Sequence, residues 1–322
     1  MLRLRLLFPL ALVLLSTSSV ASAQTPAIAQ TPEPPNSPQR KASFIPHPVE
    51  EIPPGPVRFA VDPVGDGAML GIAGAFDLLS DFILGTGEVR PQQIDPKFNS
   101  ESLFFLDRGA VSQKPDANAA TLSNVGLYTA IGFAVLDPIL SGIRDGKEAM
   151  ITDAFMYLES IAFASGLTDI AKVAVRRPRP IAYIQRNQFI ANGGDPATYD
   201  NTSTDSSLSF FSGHASAVGA VAGTATYLAF ARSPHTARPW ITLLAGIALT
   251  SFVSVERVRA AAHFPTDVIA GSLVGAGTGV LVVHLHRADT LKERPIWIGF
   301  QPMNGDDPGH PTGGLVTMSG LF

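Results

Sequence analysis

The chain is 322 residues long and carries 23 Lys and Arg against 27 Asp and Glu, a formal net charge of -4. That balance excludes a nucleic-acid binder working through excess basic charge, and the absence of cysteine excludes disulfides, thiolate metal sites and a cysteine nucleophile. Charged residues make up 16% and mean hydropathy is +0.22, which fits a thick helical core or one partly inside a membrane.

Reading from the N-terminus, MLRLRLLFPLALVLLSTSSVASAQ has Arg3 and Arg5, an apolar run from Leu6 to Leu15, and the small-residue exit Ala21-Ser22-Ala23. These are the parts of a cleavable secretory signal, predicted over residues 1–23. The apolar run is short for a membrane anchor. Residues 24–60, rich in Pro and Ser, read as a linker. A helical domain is predicted over 61–290 and a C-terminal tail over 291–322. Cleavage would place the mature chain outside the cytoplasm, in the periplasm or in the membrane with a periplasm-facing site.

Six apolar, helix-length segments follow, at about 66–85, 121–140, 151–175, 213–231, 239–257 and 266–285. They are crowded with Ala and Gly, which let helix backbones approach closely. The fold class is therefore an all-α six-helix bundle. The last three segments are nearly long enough to cross a bilayer. The first three carry Asp77 and Asp81, Asp137 with Pro138, and Glu159 with Asp169. A charge at mid-bilayer is costly unless sheltered, so these residues favour an exported domain that does not span. The loops after the second, fourth and sixth segments carry Arg144 and Lys147, Arg232 and Arg238, and Arg287. Such a bias marks cytoplasmic loops, and it agrees with a cleaved signal for five crossings with the first segment peripheral. Residues 181–211 read as a long polar loop with Tyr183, Phe189, Ile190, Tyr199, Phe210 and Phe211 scattered through it, suited to a substrate lid. The tail ends in GGLVTMSGLF, either a short strand or irregular.

Three clusters at predicted helix ends carry chemistry. The third segment exits through Lys172, Arg176, Arg177, Pro178, Arg179 and Pro180; the fourth opens with Phe211-Ser212-Gly213-His214; the fifth and sixth are joined by ERVRAAAHFPTD, with Arg257, His263 and Asp267. In an up-down bundle these ends share one face. Lys172, Arg179 and Arg257 with the backbone N–H groups of a helix start form a cradle for a tetrahedral oxyanion. Two histidines beside it supply a nucleophile and a proton donor. Asp267, in the first helical turn, is placed to reach one imidazole nitrogen of His263 and fix its tautomer.

The pattern K-x6-R-P, S-G-H and R-x5-H-x3-D, carried by Lys172, Arg179 and Pro180, by Ser212, Gly213 and His214, and by Arg257, His263 and Asp267, resembles the type 2 phosphatidic acid phosphatase and vanadium haloperoxidase superfamily. The resemblance covers about residues 150–285 and includes the six-helix layout. Two positions depart from it: Phe211 stands where a proline is usual, and Glu256 where a serine is, the latter expected to dampen the positive field. The resemblance implies that His263 attacks phosphorus to form a phosphohistidine. His214 then serves as acid and base, Asp267 supports His263, and Lys172, Arg179, Arg257, Ser212 and Gly213 hold the phosphate. No metal or other cofactor is implied. Arg177 is given at most a supporting role. The implied function is an exported, metal-independent phosphatase that hydrolyses phosphate monoesters or diphosphates, of a lipid or a small ester. The alternatives are a vanadate-dependent haloperoxidase and a non-enzymatic binder of phosphate or lipid headgroups. Partners are expected to be phosphorylated substrates and, through its apolar helices, a membrane.

Overall fold

In the computed structural model the described residues are 57–62, 64–86, 89–288, 297–304 and 311–319, all within one compact unit, Pro53–Phe322. The expected signal (1–23) and nearly all of the linker (24–60) lie outside them. Among the described residues seven α-helices are formed: α1 Gly65–Gly85, α2 Ala119–Asp145, α3 Lys147–Val175, α4 Pro180–Ala191, α5 Gly213–Arg232, α6 Arg238–Arg259 and α7 Pro265–Leu285. Six of them match the six apolar segments within a few residues. Two differences have physical causes. The second segment, expected to end near 140, runs on with Pro138 inside it to Asp145 and turns at Gly146, where φ is 96°. The 181–211 stretch is not a free loop: Pro180 occupies the first position of α4, where its missing N–H costs nothing.

In the tail, β1 Trp297–Asn304 pairs antiparallel with β2 Pro311–Ser319 in a two-stranded hairpin. It follows the helical part, which is all-α as expected.

α5 is the central helix, packed by α2, α3, α6 and α7. Its contact with α7 depends on glycine. A β-carbon on Gly271, Gly275 or Gly279 would lie 2.6, 1.9 and 2.2 Å from the carbonyl oxygens of Ser212, Ser216 and Ala220. Both chains advance four residues per contact, so the helices run parallel and meet backbone to backbone. This close approach fixes the start of α5, where Ser212 and His214 sit, against the start of α7, where Asp267 sits. The main core cluster lies lower in the bundle, around Met156, Tyr157, Val218, Leu228, Val253 and Val283; a second, with Ile94, Val111, Tyr183 and Phe264, packs under α4.

The charges that argue against spanning are turned inward. Asp137 accepts from Tyr157 at 3.0 Å and from Arg238 at 3.1 Å, Asp153 is held by Arg232, Asp169 by Lys172, and Glu159 faces His286. Arg232 and Arg238 are thus engaged in ion pairs rather than solvated in loops. The outer surface is apolar instead: Leu78 and Phe82 on α1, Val125 and Ile143 on α2, Leu244 and Val255 on α6, and Leu273 on α7 are all exposed. Among the described residues α1, α2, α6 and α7 are long and apolar enough to cross a membrane, and an apolar belt of this extent is foreign to a water-facing surface.

Candidate active site

The ends of α3 and α6 and the starts of α5 and α7 meet at one pole, together with α4 and the chain between α1 and α2. α3 stops because Arg176 turns left-handed, at φ 49°, and the backbone of Ser209 then donates to the Arg177 carbonyl at 2.9 Å. Arg179 is extended and its N–H bonds the Ser206 carbonyl at 2.6 Å. Residues 206–209 and Phe211 are buried against this pole, as is Tyr183, which packs on Phe98 and Phe264. The expected lid is therefore largely a wall of the site. Its apolar residues are drawn into the core because α4 and the chain at 94–111 form a second apolar layer. Phe189 remains exposed.

The start of α5 is capped by Ser212, whose Oγ accepts the Ala215 N–H at 3.4 Å and whose own N–H bonds the Asp267 carbonyl at 3.1 Å. Gly213 and His214 follow in the first turn, where backbone N–H groups have no intrahelical acceptor. Lys172 Nζ points to this turn, 3.9 Å from where a β-carbon on Gly213 would be, and is held by Asp169 at 3.2 Å. Nε of Arg179 and Nε of Arg257 are both buried and have no hydrogen-bond partner among the described residues, a condition shared by Nε of Arg176 and Arg186. His214 feels the positive fields of Arg257, Lys172 and Arg179. Its Nε2 is 2.8 Å from Asn124 Oδ1, a contact that requires Nε2 to carry the proton. The structure thus brings together every residue assigned to the cradle: Lys172, Arg179, Ser212, Gly213, Arg257 and both histidines.

His263 is buried and lies in the turn between α6 and α7. Its Nδ1 is 2.7 Å from the Ser209 carbonyl oxygen, so Nδ1 carries the proton and Nε2 keeps its lone pair. Burial, and then the fields of Arg179 and Arg257, hold its pKa well below the ordinary histidine value; the Ser209 bond opposes this only in part. A neutral imidazole with a free Nε2 lone pair is the form a nucleophile needs.

One expected contact is replaced by another. Asp267 was expected to bond the His263 imidazole, but its Oδ2 stands 4.0 Å from Nδ1. The carboxylate instead accepts from Ser209 Oγ, from the Phe264 N–H at 2.9 Å and from Arg177 Nη1 at 2.6 Å. Its hold on His263 is therefore indirect: it fixes Ser209, whose carbonyl fixes the ring. Arg177 has more than a supporting part in this. It also bonds Asp107 at 2.7 Å and Thr266 at 2.9 Å, and lies 3.8 Å over the Phe264 ring. Asp107 completes the knot by accepting from the Thr266 N–H at 3.0 Å.

Asp205 is a further addition: its carboxylate accepts from Arg179 Nη2 at 2.6 Å at the rim of the cradle. Glu256, expected to dampen the field at Arg257, places its Oε1 2.8 Å from Arg259 Nη1 and pairs with that residue.

Residues 153–291 match the family model described as the PAP2 superfamily. This segment belongs to that superfamily. None of the curated proteins and none of the solved structures compared matches the chain. The PAP2 segment spans the whole cradle, from Lys172 to Asp267, and supports a phosphatase or haloperoxidase-like function acting on phosphorylated substrates in general terms. Asp107 and Asn124 lie ahead of it.

Proposed function

We propose that the protein is a membrane-embedded phosphatase that hydrolyses a lipid phosphate through a phosphohistidine at His263. The observation that carries this reading is the pair of buried, partnerless guanidinium Nε groups of Arg179 and Arg257 beside the neutral His263. Buried donors without an acceptor are costly, and a phosphoryl group supplies the missing acceptors. Nε2 of His263 attacks phosphorus and the bond to the leaving oxygen breaks. Lys172, Arg179, Arg257, the Ser212 hydroxyl and the Gly213 N–H hold the equatorial oxygens, where charge gathers in the transition state. His214, charged once the substrate phosphate offsets the cations around it, gives a proton to the departing oxygen. It then takes one from the water that attacks the phosphohistidine, releasing inorganic phosphate and restoring His263. The charge stabilisation comes from side chains, so the reaction requires no metal.

The lipid reading is supported by an apolar groove of about 730 Å³ floored by Gly219 and Gly223 of α5 and walled by α6 and α7. It reaches the site pole at Val258, Arg259 and Pro265, next to Arg257 and His263 in sequence. An acyl chain lying there would leave its phosphate at the cradle. Supporting the membrane placement, α1 packs chiefly on α3 at the outside of the bundle. The basic residues Arg144 and Lys147, and Arg232 and Arg238, lie at the ends of α2, α3, α5 and α6 away from the cradle, and this bias puts the site on the exported side.

Three measurements test this. The protein should need detergent rather than salt for extraction. kcat/KM should rise at least about tenfold from a two-carbon to a long-chain phosphate ester, while EDTA leaves it unchanged and orthovanadate inhibits as a transition-state mimic. Because the chain lacks cysteine, Asn192→Cys reports the site pole and Lys147→Cys the opposite one. An impermeant thiol reagent on intact cells should label only the first. Peroxide-dependent halide oxidation with vanadate, and no phosphate release, would overturn the reading.

A further inference from the structure

The pole opposite the cradle holds a second histidine cluster. We propose that Asp66, Glu159 and His286 form a binding site for a divalent transition-metal ion of the zinc class. His286 follows the last turn of α7, Glu159 lies within α3, and Asp66 stands in the first turn of α1. His286 Nε2 lies 3.3 Å from Glu159 Oε2 and 3.4 Å from Asp66 Oδ2, and one ligand atom from each residue falls within 4.8 Å of the others.

The arrangement is unlike a hydrogen-bonded ion pair. His286 Nδ1 lies 2.8 Å from the Val282 carbonyl oxygen, so Nδ1 carries a proton and the ring is held with Nε2 turned toward the two carboxylates. No hydrogen bond joins Nε2 to either carboxylate among the described residues. Two carboxylates converging on one ring nitrogen carry more negative charge than a single imidazole can offset, and a cation between them supplies the rest. The separations suit one: ligand atoms about 2.0–2.1 Å from a tetrahedral zinc ion are about 3.3–3.4 Å apart. A histidine tied through its other nitrogen to a backbone carbonyl is the usual outer support for a metal ligand.

A second, independent observation points the same way. Glu159 is 2% exposed, and its Oε1 is buried without a hydrogen-bond partner. A carboxylate so buried needs a compensating positive charge, and a divalent ion is one its two oxygens can share. The surroundings are otherwise well tied. Asp66 Oδ2 also accepts the Asp62 N–H at 2.7 Å. The strand-like chain before α1 bonds the chain after α7, Ala60 N–H to the His286 carbonyl and Ala288 N–H to the Arg58 carbonyl, each at 2.9 Å. The ion would clip α1, α3 and α7 together at this pole, leaving a coordination position for water. Its role is structural, and it is independent of the phosphatase reading.

The test is equilibrium dialysis of zinc into the detergent-solubilised full chain after chelation, with cobalt as a spectroscopic probe of four-coordination. The expected result is one tightly bound ion per chain and a Tm raised by about 5 °C or more at saturating zinc. His286→Gln and Glu159→Gln should each weaken binding by at least about 100-fold, beyond the 10–100-fold typical of outer-shell changes. If Glu159→Gln fails to fold, Asp66→Asn, at the more accessible edge, should still give the loss. Absence of tight binding by zinc, cobalt and manganese overturns the proposal and leaves the cluster held by a shared proton. Binding that persists in both His286→Gln and Asp66→Asn overturns it as well. Phosphate release that survives chelation keeps the two readings separate.

Discussion

The two poles of the bundle use the same device to opposite ends. At one, His263 Nδ1 is tied to the Ser209 carbonyl at 2.7 Å; at the other, His286 Nδ1 is tied to the Val282 carbonyl at 2.8 Å. Both rings are thereby fixed in orientation, with Nε2 turned away from the carbonyl. What differs is the charge that Nε2 meets. His263 lies in the fields of Arg179, Arg257 and Lys172, whereas His286 faces Asp66 and Glu159. A lone pair among cations is set to attack an electrophilic phosphorus whose oxygens the cations hold; a ring nitrogen among anions is set to share a cation. The imidazole is the constant, and the surrounding charge decides the chemistry.

The largest expected effect breaks the symmetry outright. His263→Ala should lower kcat by about 10⁴-fold or more and abolish the phosphoenzyme, since no other group can replace the nucleophile. His286→Ala should lower Tm yet leave kcat per folded molecule within about twofold. Rapid-quench trapping with a labelled phosphate ester reads the first result, and steady-state rates well below Tm read the second. Trapping in His263→Ala would show that the poles have been assigned the wrong roles.

A smaller effect concerns how the ring is held. Where a carboxylate bonds a catalytic imidazole directly, its conversion to the amide costs about 10⁴-fold by upsetting the tautomer. Here the Ser209 carbonyl holds the Nδ1 proton, and Asp267 stands 4.0 Å away. Asp267→Asn should therefore keep the tautomer, loosen Ser209 and Arg177, and cost only about 10–100-fold in kcat. A loss near 10⁴-fold would mean that the carboxylate moves onto the imidazole when substrate binds.

Much of the pole was legible in the sequence, and what was not has a common cause. Lys172, Arg179, His214, Arg257 and His263 lie within short motifs at the ends of apolar segments, where spacing and helix periodicity place them on one face. Asp107, Asn124 and Ser209 reach the site only through tertiary packing, from stretches with no local pattern. The Asp66, Glu159 and His286 cluster is the extreme case, drawn from three helices far apart in the chain. The glycines of α7 were visible as small residues, but their mating with the α5 carbonyls needs the register of both helices. The buried carboxylates of α2 and α3 were illegible for the same reason: sequence records a charge but not which way it faces.

The depressed pKa of His263 gives a further test, in stability. The unfolded histidine takes a proton near pH 6.5, while the folded one, buried among cations, stays neutral well below that. Between those limits the unfolded chain binds more protons, so stability is fully present above about pH 6.5 and falls as the pH is lowered. Tm should drop by a few degrees between pH 7 and 5, and His263→Gln should flatten that slope. Bound orthovanadate should also reduce it, because an anion in the cradle offsets the cationic field. An unchanged slope in His263→Gln would show that the ring is not held neutral by its surroundings.

The smallest effect concerns Asp205, which has no counterpart in the three motifs. Its carboxylate takes a hydrogen bond from Arg179 at 2.6 Å, yet its side chain is 74% exposed. An anion already resting on a cradle cation competes with phosphate for it, but solvent screens an exposed pair to about 0.2–1 kcal/mol. Asp205→Asn should accordingly tighten inhibition by inorganic phosphate by only about two- to fivefold, with kcat almost unaltered. The gain should shrink as ionic strength rises, because screening acts on exposed pairs first. Weaker inhibition in Asp205→Asn would reverse the sign of this argument. It would mean that Asp205 holds Arg179 in place for phosphate rather than competing with it, and the rim of the cradle would then have to be counted among its supports.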